Sequence, residues 1–379
     1  MRVALLTPSG VAREGGERSF PYLVALVERL ARRHDVQVFA LHQEAEPSRY
    51  EVLGATVHNG GAHGAGRRRA YWRTFTALLA EHRRKPFDLV HAFWLVPPGL
   101  IAAAAGRWIG RPVLVHLAGG ELVSLPDIGY GWRVSWRTRM WGRLALAGAT
   151  RLTAASKPMI AMAGALGYRA ERVPFGVDLA RWPVLAPRRR RADEARLIHI
   201  GDLNPVKDQR TLLRAAAVLS ARDVHFRLDI AGLDTSGGAL AAEARRFGIG
   251  HRLHFRGFLS QSRLRLLVER ADLLLVSSRH EAGPFAMLEA AVAGVPTVGT
   301  DVGHVAEWAP ESAVVVPVGD AEGLARETAN LLSREAVRLE LATIAQRRAV
   351  REDADWTANR VEALYDEMVT AARRKGPGR

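Results

Sequence analysis

The sequence predicts an α/β protein built from two doubly wound domains, and three observations carry that expectation. Short apolar runs alternate with amphipathic helical stretches through the first half of the chain. The same scheme restarts after an irregular Pro- and Arg-rich passage, and at 379 residues the chain is longer than a single hydrophobic core usually serves. Strand and helix taking turns implies parallel sheets covered on both faces, so their strands should read as unbroken apolar runs.

The elements follow in order. "RVALLTPS" reads as a buried strand, and "FPYLVALVERLARR" places Phe20, Leu23, Val24, Val27 and Leu30 at helical spacing. "DVQVFAL", "FDLVHAF", "PVLVHLAG" and "ATRLTAAS" are further strands of the first half. "RWPVLAPRRRRADEA" has the composition of a linker. Beyond it come "ARLIHIGD", "VHFRLDIAG", "HRLHFRG", "ADLLLVSS", "VPTVGT" and "SAVVVPV", while "DQRTLLRAAAVLS" puts Leu212, Leu213, Ala216 and Leu219 on one helical face. Helical composition dominates from about residue 320 and ends in "DWTANRVEALYDEMVTAARR" and a basic tail. The domains are therefore expected at residues 1–180 and 195–355, with a closing helix and tail at 356–379. Ligands of open α/β sheets bind outside the carboxyl ends of the strands, so the facing loops of two such domains would form a central cleft.

Composition narrows the function classes. Without cysteine there is no disulfide scaffold, thiolate metal site or cysteine nucleophile. The opening "MRVALLTPSG" is too short an apolar run for a signal peptide. "WLVPPGLIAAAAG", the longest apolar stretch, contains two prolines and falls short of the roughly 20 residues of a spanning helix, so a cytoplasmic protein is expected. The net charge of +15 is uneven: 24 Lys and Arg face 13 Asp and Glu in residues 1–180, against 30 and 26 in residues 181–379. A basic first half favours anionic partners. An arginine-rich composition with a solvated surface would give the same count.

The stretch "SRHEAGPFAMLEAAVAGVPTV", residues 278–298, carries the most chemistry. Ser277 to Glu281 should leave a buried strand, Pro284 suits the first helical position, and Gly283 lets another group approach the backbone. The helix that follows would present its N–H groups and positive dipole end to a ligand. Carboxylates accept directed hydrogen bonds from hydroxyls. Glu281 and Glu289, combined with basic groups for phosphate, would suit a nucleotide sugar. Spacing alone fits a helix-cap partner and a solvated helix residue equally well, but the apolar surroundings of Glu289 argue against an idle surface carboxylate.

An ordered set of such segments, spread over nearly the whole chain, resembles the retaining glycosyltransferases of the two-domain GT-B fold, in particular the group 4 assemblage with its E-x7-E motif. The set comprises "REGGERSFPYLVALVERLA", "DLVHAF", "VLVHLAGGE", "AASKPM", "VPFGVDLARW", "IGDLNPVKDQRTLLRA", "HFRGFL", the two glutamates and "GVPTVGTDVGHVAEW", followed by a closing Trp-to-Tyr helix. The resemblance implies two Rossmann-like domains facing a central cleft, with the last helix returning to the amino-terminal domain. It further implies transfer of a hexosyl-type group from a nucleotide-diphosphate sugar to an acceptor hydroxyl, with retention at the anomeric carbon and no metal. Lys207 would grip the pyrophosphate, Glu289 the ribose, and Glu281 with Gly283, Pro284 and Phe285 the sugar; the base would lie near Arg256, Gly257 and Phe258. Gly15 and Gly16 would let backbone approach donor phosphate and acceptor, and His116 would reach the transferred sugar. A buried, hydrogen-bonded histidine is an equally good reading of His116 taken alone.

Two positions depart from the family pattern. Asp202 stands where an arginine usually joins the lysine on the pyrophosphate, which leaves Arg279 and Arg210 as the nearest substitutes by sequence. His304 replaces the second glycine of a pair and would narrow the sugar pocket. No D-x-D motif appears where metal-dependent transferases need one, so leaving-group charge would fall to Lys207, a helix amino terminus and backbone amides. Domain closure around the donor would exclude water.

On the acceptor side, "HNGGAHGAGRRRAYW" reads as a glycine-rich loop with a tribasic end. "GYGWRVSWRTRMWGRLAL" sets Trp132, Trp136 and Trp141 among Arg133, Arg137, Arg139 and Arg143. Such alternation suits the headgroup layer of an anionic membrane; packing the tryptophans inside and leaving the arginines solvated is the competing arrangement. Acceptors in view are a glycan, a glycolipid or a small-molecule hydroxyl. Two other functions compete: a nucleotide-sugar 2-epimerase on the same fold, and a basic nucleic-acid-binding protein, for which no reading module is present.

Overall fold

The computed structural model describes residues 1–13, 19–61 and 66–374. Two compact units result, one formed by Met1–Phe175 with Ala354–Arg379 and the other by Gly176–Asp353.

In the first unit the strands are β1 (Arg2–Thr7), β2 (Asp35–Ala40), β3 (Ser48–Val52), β4 (Ala55–Asn59), β5 (Leu89–Phe93), β6 (Val113–Leu117), β7 (Arg151–Ala154) and β8 (Glu171–Arg172). Its helices are α1 (Pro21–Ala31), α2 (Arg67–Arg84), α3 (Leu100–Ile109), α4 (Trp136–Gly148) and α5 (Lys157–Ala165). The sheet order is β3-β4-β2-β1-β5-β6-β7-β8, and every pair is parallel except β3 with β4. All six residues of β1 are buried, as expected of a strand covered on both faces. The β3–β4 hairpin turns through Leu53 and Gly54, both at positive φ, the geometry that matches the twist of the flanking strands. The tribasic run expected in a loop forms the first turn of α2 instead, and residues 62–65 of that passage lie outside the described residues.

The second unit alternates strictly: β9 (Ala195–Ile200), α6 (Gln209–Ala221), β10 (Phe226–Ala231), α7 (Ala239–Arg246), β11 (Leu253–Gly257), α8 (Gln261–Val268), β12 (Leu273–Val276), α9 (Phe285–Val292), β13 (Thr297–Thr300), α10 (Gly303–Trp308) and β14 (Val314–Val316). Helices α11 (Ala321–Ser333) and α12 (Glu335–Arg351) complete it. Its all-parallel sheet has the order β11-β10-β9-β12-β13-β14. Successive strand residues point to opposite faces, and the core divides accordingly. Leu197, Leu273 and Leu275 pack with Leu212, Leu213 and Leu219 of α6 on one face, while Ile198, Leu274 and Val276 pack with Met287 and Leu288 of α9 on the other.

The last helix, α13 (Ala354–Arg374), belongs to the first unit and packs on α1. Tyr365 is fully buried there, 2.6 Å from His91 Nδ1 through its hydroxyl. Thr357 Oγ1 donates to the carbonyl of Pro174 at 2.8 Å, and Arg29 Nε meets Asp355 Oδ1 at 2.6 Å.

Candidate active site

The strand order of the second unit locates its site. From β9 the chain runs outward through β10 and β11 on one side, then returns through β12, β13 and β14 on the other. The order reverses between β9 and β12, and ligands of open α/β sheets settle beyond the carboxyl ends of the strands at such a point. The two loops leaving these strands carry Lys207 and Glu281.

Backbone bonds stitch the two loops together. Arg279 N–H donates to Val206 O at 2.7 Å, and Ser277 Oγ donates to Lys207 O at 2.8 Å. Lys207 N–H is shared between the carbonyl and the side-chain oxygen of Asn204, at 3.1 and 3.2 Å. Asp208 follows at φ +46 and caps α6 through Thr211, so Lys207 is presented by a strained, hydrogen-bonded turn. A Cβ at Gly201 would stand 3.2 Å from the Lys207 stem, so the stem passes close over that backbone.

The side chains then meet. Lys207 Nζ donates to Glu281 Oε1 at 2.6 Å, and Ser278 Oγ donates to the same oxygen at 2.7 Å. Lys207 and Glu281 side chains retain 23% and 13% exposure, so the pair remains in reach of solvent. Burial would raise the Glu281 carboxyl, but the Lys207 charge and these hydrogen bonds outweigh it and hold the group below the ordinary carboxylate range. One bond uses one of the three ammonium donors of Lys207. The pair thus presents both a cation and a hydroxyl acceptor at one point.

Helix α9 begins at Phe285, with Pro284 as its N-cap residue rather than its first helical one. Gly303, at φ +48, packs against this entrance: a Cβ there would come within 2.9 Å of Glu281 O and 3.0 Å of Pro284 Cδ. Glu289 is buried on α9 as its apolar neighbours suggest, and burial pushes its carboxyl up to about 8, offset in part by a hydrogen bond with Gln261. A carboxyl kept protonated near neutrality both donates and accepts.

Two residues that the sequence left unassigned support this arrangement. His199, buried on β9, donates from Nδ1 to Leu275 O at 2.9 Å, which leaves Nε2 to accept from Gln209 Nε2 at 3.3 Å. Gln209 also donates to Asp202 O at 3.0 Å. Burial lowers the His199 pKa to about 4, so the ring is neutral and its two bonds hold β9, β12 and α6 in register. A lone histidine in an alternating strand gives no sequence signal for that role.

The remaining expected residues spread along the same strand ends. Asp202 Oδ1 accepts from Leu233 N–H at 2.9 Å, binding the loop after β9 to the loop after β10. Arg210 lies 3.4 Å from Glu243 and is largely exposed, whereas Arg279 is carried by the stitched loop itself. Arg256 Nε donates to Asp229 Oδ1 at 2.5 Å; Gly257, at φ +63, accepts from Gly232 N–H at 2.9 Å, and Phe258 is exposed. His304 is buried against Glu307 and Trp308, 3.7 Å from Glu307 Oε2.

A separate polar group occupies the first unit. His116, buried on β6, approaches Thr153 Oγ1 at 2.9 Å through Nδ1, while its Nε2 has no hydrogen-bond partner among the described residues. The rings of Phe175 and Phe93 lie 4.5 and 5.4 Å away, and burial drives the His116 pKa down to about 3. Glu121, buried in the loop that follows, accepts from Ala118 N–H at 2.9 Å and Gly119 N–H at 2.6 Å. Burial raises its carboxyl despite those bonds. Gly15 and Gly16 lie outside the described residues, and no group of three or more metal-ligating side chains occurs among the described ones.

Two parallel-sheet α/β units with a returning terminal helix define the GT-B class of glycosyltransferases. Anabaena HepE, solved in complex with UDP-glucose, superposes with a TM-score of 0.76 at 18% identity, covering 97% of this chain and 100% of that one. Residues 184–348 match the model of the glycosyl transferases group 1, and residues 21–176 match the glycosyl transferase 4-like domain. The D-inositol 3-phosphate glycosyltransferase of Salinispora tropica is 31% identical over 332 residues, 79% of this chain and 68% of that protein. EpsF of Bacillus subtilis is 28% identical over 315 residues, 77% of each chain. The chain therefore belongs to the group 1 glycosyltransferases of family 4.

Proposed function

We propose that this glycosyltransferase moves a hexosyl-type group from a nucleotide-diphosphate sugar to an acceptor hydroxyl, with retention at the anomeric carbon and without a metal. The observation that carries the reading is the Lys207–Glu281 contact at the strand-order reversal, with Glu289 buried on the adjoining helix. Lys207 would shift its remaining donors to the diphosphate and stabilise the charge that develops on it as the glycosyl bond breaks. The amino end of α9 adds backbone N–H groups of the same sign. Glu281, freed to accept, would hold sugar hydroxyls with Gly283, Pro284 and Phe285, and Glu289 would hold the ribose. Arg256, Gly257 and Phe258 would flank the base. Arg279 is better placed than Arg210 to replace the missing arginine, because its backbone is bonded to the Lys207 loop. The departing phosphate would take the acceptor proton, and His116 would contact the transferred sugar from the first unit. The same reading puts the acceptor, a glycan, glycolipid or small-molecule hydroxyl, on the basic first unit, in the cytoplasm at the inner face of a membrane.

Thermal unfolding against a panel of UDP-, GDP- and ADP-sugars tests the donor assignment, because a bound ligand raises apparent stability by mass action. One nucleotide is expected to raise Tm selectively, and Lys207→Ala and Glu289→Ala are each expected to abolish the shift. Undiminished shifts in both variants would place the donor elsewhere. Anomeric proton signals of the first-formed product decide retention, and transfer that survives a chelator decides metal independence.

A further inference from the structure

Helix α4 is built inside out. Its core side is Gly142, Ala145 and Leu146, which pack toward α3 and the short turn Leu95–Gly99. At about 100° of rotation per residue, Met140 and Leu144 fall on the opposite side, with Trp136 next to them. A helix on a soluble surface puts its polar residues there. Here Trp136 is 62% exposed, Leu144 51%, Trp141 42% and Met140 41%. Trp136 and Trp141 are therefore outside the core, which decides against the arrangement that packs them inward.

Charge accompanies the apolar stripe. Arg133, Arg137, Arg139 and Arg143 are all exposed, and no acidic residue occurs from Trp132 to Ala149. None of the four makes an ion pair among the described residues; Arg137 instead lies over the Trp136 ring, 5.5 Å from its centroid. The helix is also preformed, since Ser135 Oγ accepts from Thr138 N–H at 3.2 Å and caps its first turn.

We infer that the outer face of α4 is a docking surface for an anionic lipid bilayer, an inference that rests on the reading that the chain works beside a membrane. Tryptophan and arginine settle together at the headgroup level, where the ring is half immersed and the guanidinium pairs with lipid phosphate. Met140, Leu144 and the adjacent exposed Val134 single out a bilayer over nucleic acid. Aliphatic side chains do not stack on bases, whereas they do gain from the acyl boundary when a helix lies flat in the interface.

Sedimentation of the full chain with phosphatidylcholine vesicles, with and without phosphatidylglycerol, tests this at low salt. Binding is expected only to the anionic vesicles. Trp136→Ser with Leu144→Ser should weaken it at least tenfold at unchanged Tm, as should Arg137→Glu with Arg143→Glu. Leu266→Ser, an exposed apolar position in the second unit, and Lys207→Ala should bind like the parent. Vesicle binding indifferent to the α4 variants would overturn the inference and leave the membrane reading standing. No binding at all would remove both. Single-stranded DNA bound at the same salt and lost in the same variants would overturn the bilayer as the partner.

Discussion

His116 in the first unit and His199 in the second are both buried on parallel strands and kept neutral by burial, yet their surroundings differ in kind. His199 has both ring nitrogens engaged and stands behind a charged pair whose loops are bonded to one another. His116 has one nitrogen engaged and is enclosed by phenylalanine rings. A diphosphate has the same shape in every nucleotide sugar, so a rigid polar lattice suits it. In our reading His116 meets the transferred sugar, and an aromatic surround with one unsatisfied nitrogen imposes fewer fixed bonds on it. The unit with the tighter polar lattice is thus the one we assign to the donor.

The largest effect expected from this contrast is on pH dependence. Glu289 is raised from its ordinary value of 4.5 to about 8 in the folded chain, so between those values the folded state holds a proton that the unfolded state has lost. Its contribution to stability is then present in full below about pH 4.5 and is lost as pH rises through about 8, by up to roughly 5 kcal/mol. Glu289→Gln should remove that slope. Urea unfolding of both proteins from pH 5 to 9 should give curves that diverge with rising pH in favour of the variant; parallel curves would show that this carboxyl ionises freely. Next, Lys207→Ala should lower kcat/KM for transfer about 100-fold, or about 3 kcal/mol. His116→Ala proving more damaging than Lys207→Ala would invert the contrast. The smallest effect separates the histidines: His199→Phe leaves Leu275 O without its donor and Gln209 Nε2 with only its bond to Asp202 O, and should cost about 2 kcal/mol of stability, while His116→Phe should stay within about 1 kcal/mol. Equal losses in denaturant titrations would mean that the two rings are held alike.

Much of this was legible beforehand, for identifiable reasons. Every strand named from the sequence is present; β1 and β12 are buried along their whole length and so had to be continuously apolar, whereas β11, at a sheet edge, is buried only at its start. The β3–β4 hairpin escaped notice because Leu53 occupies a positive-φ position where Asn or Asp would have announced the turn. Glu289 could be judged buried from its neighbours, whereas the contact between Lys207 and Glu281 depends on two loops 74 residues apart and leaves no mark in local sequence. Exposure of the α4 tryptophans was equally hidden. Apolar residues on both sides of one helix leave its pattern without a clear direction, and only packing shows which side faces the core.

The returning α13 also bears on the order in which the protein can be made. Residues 1–175 emerge from the ribosome before the second unit, but the helix that covers α1 and lodges Tyr365 beside His91 is made only after it. The first unit therefore waits, with an apolar flank uncovered, until the whole second unit has been synthesised. A chain shortened to Asp353 would keep that flank bare, because it lacks the twenty-one residues of helix that cover it.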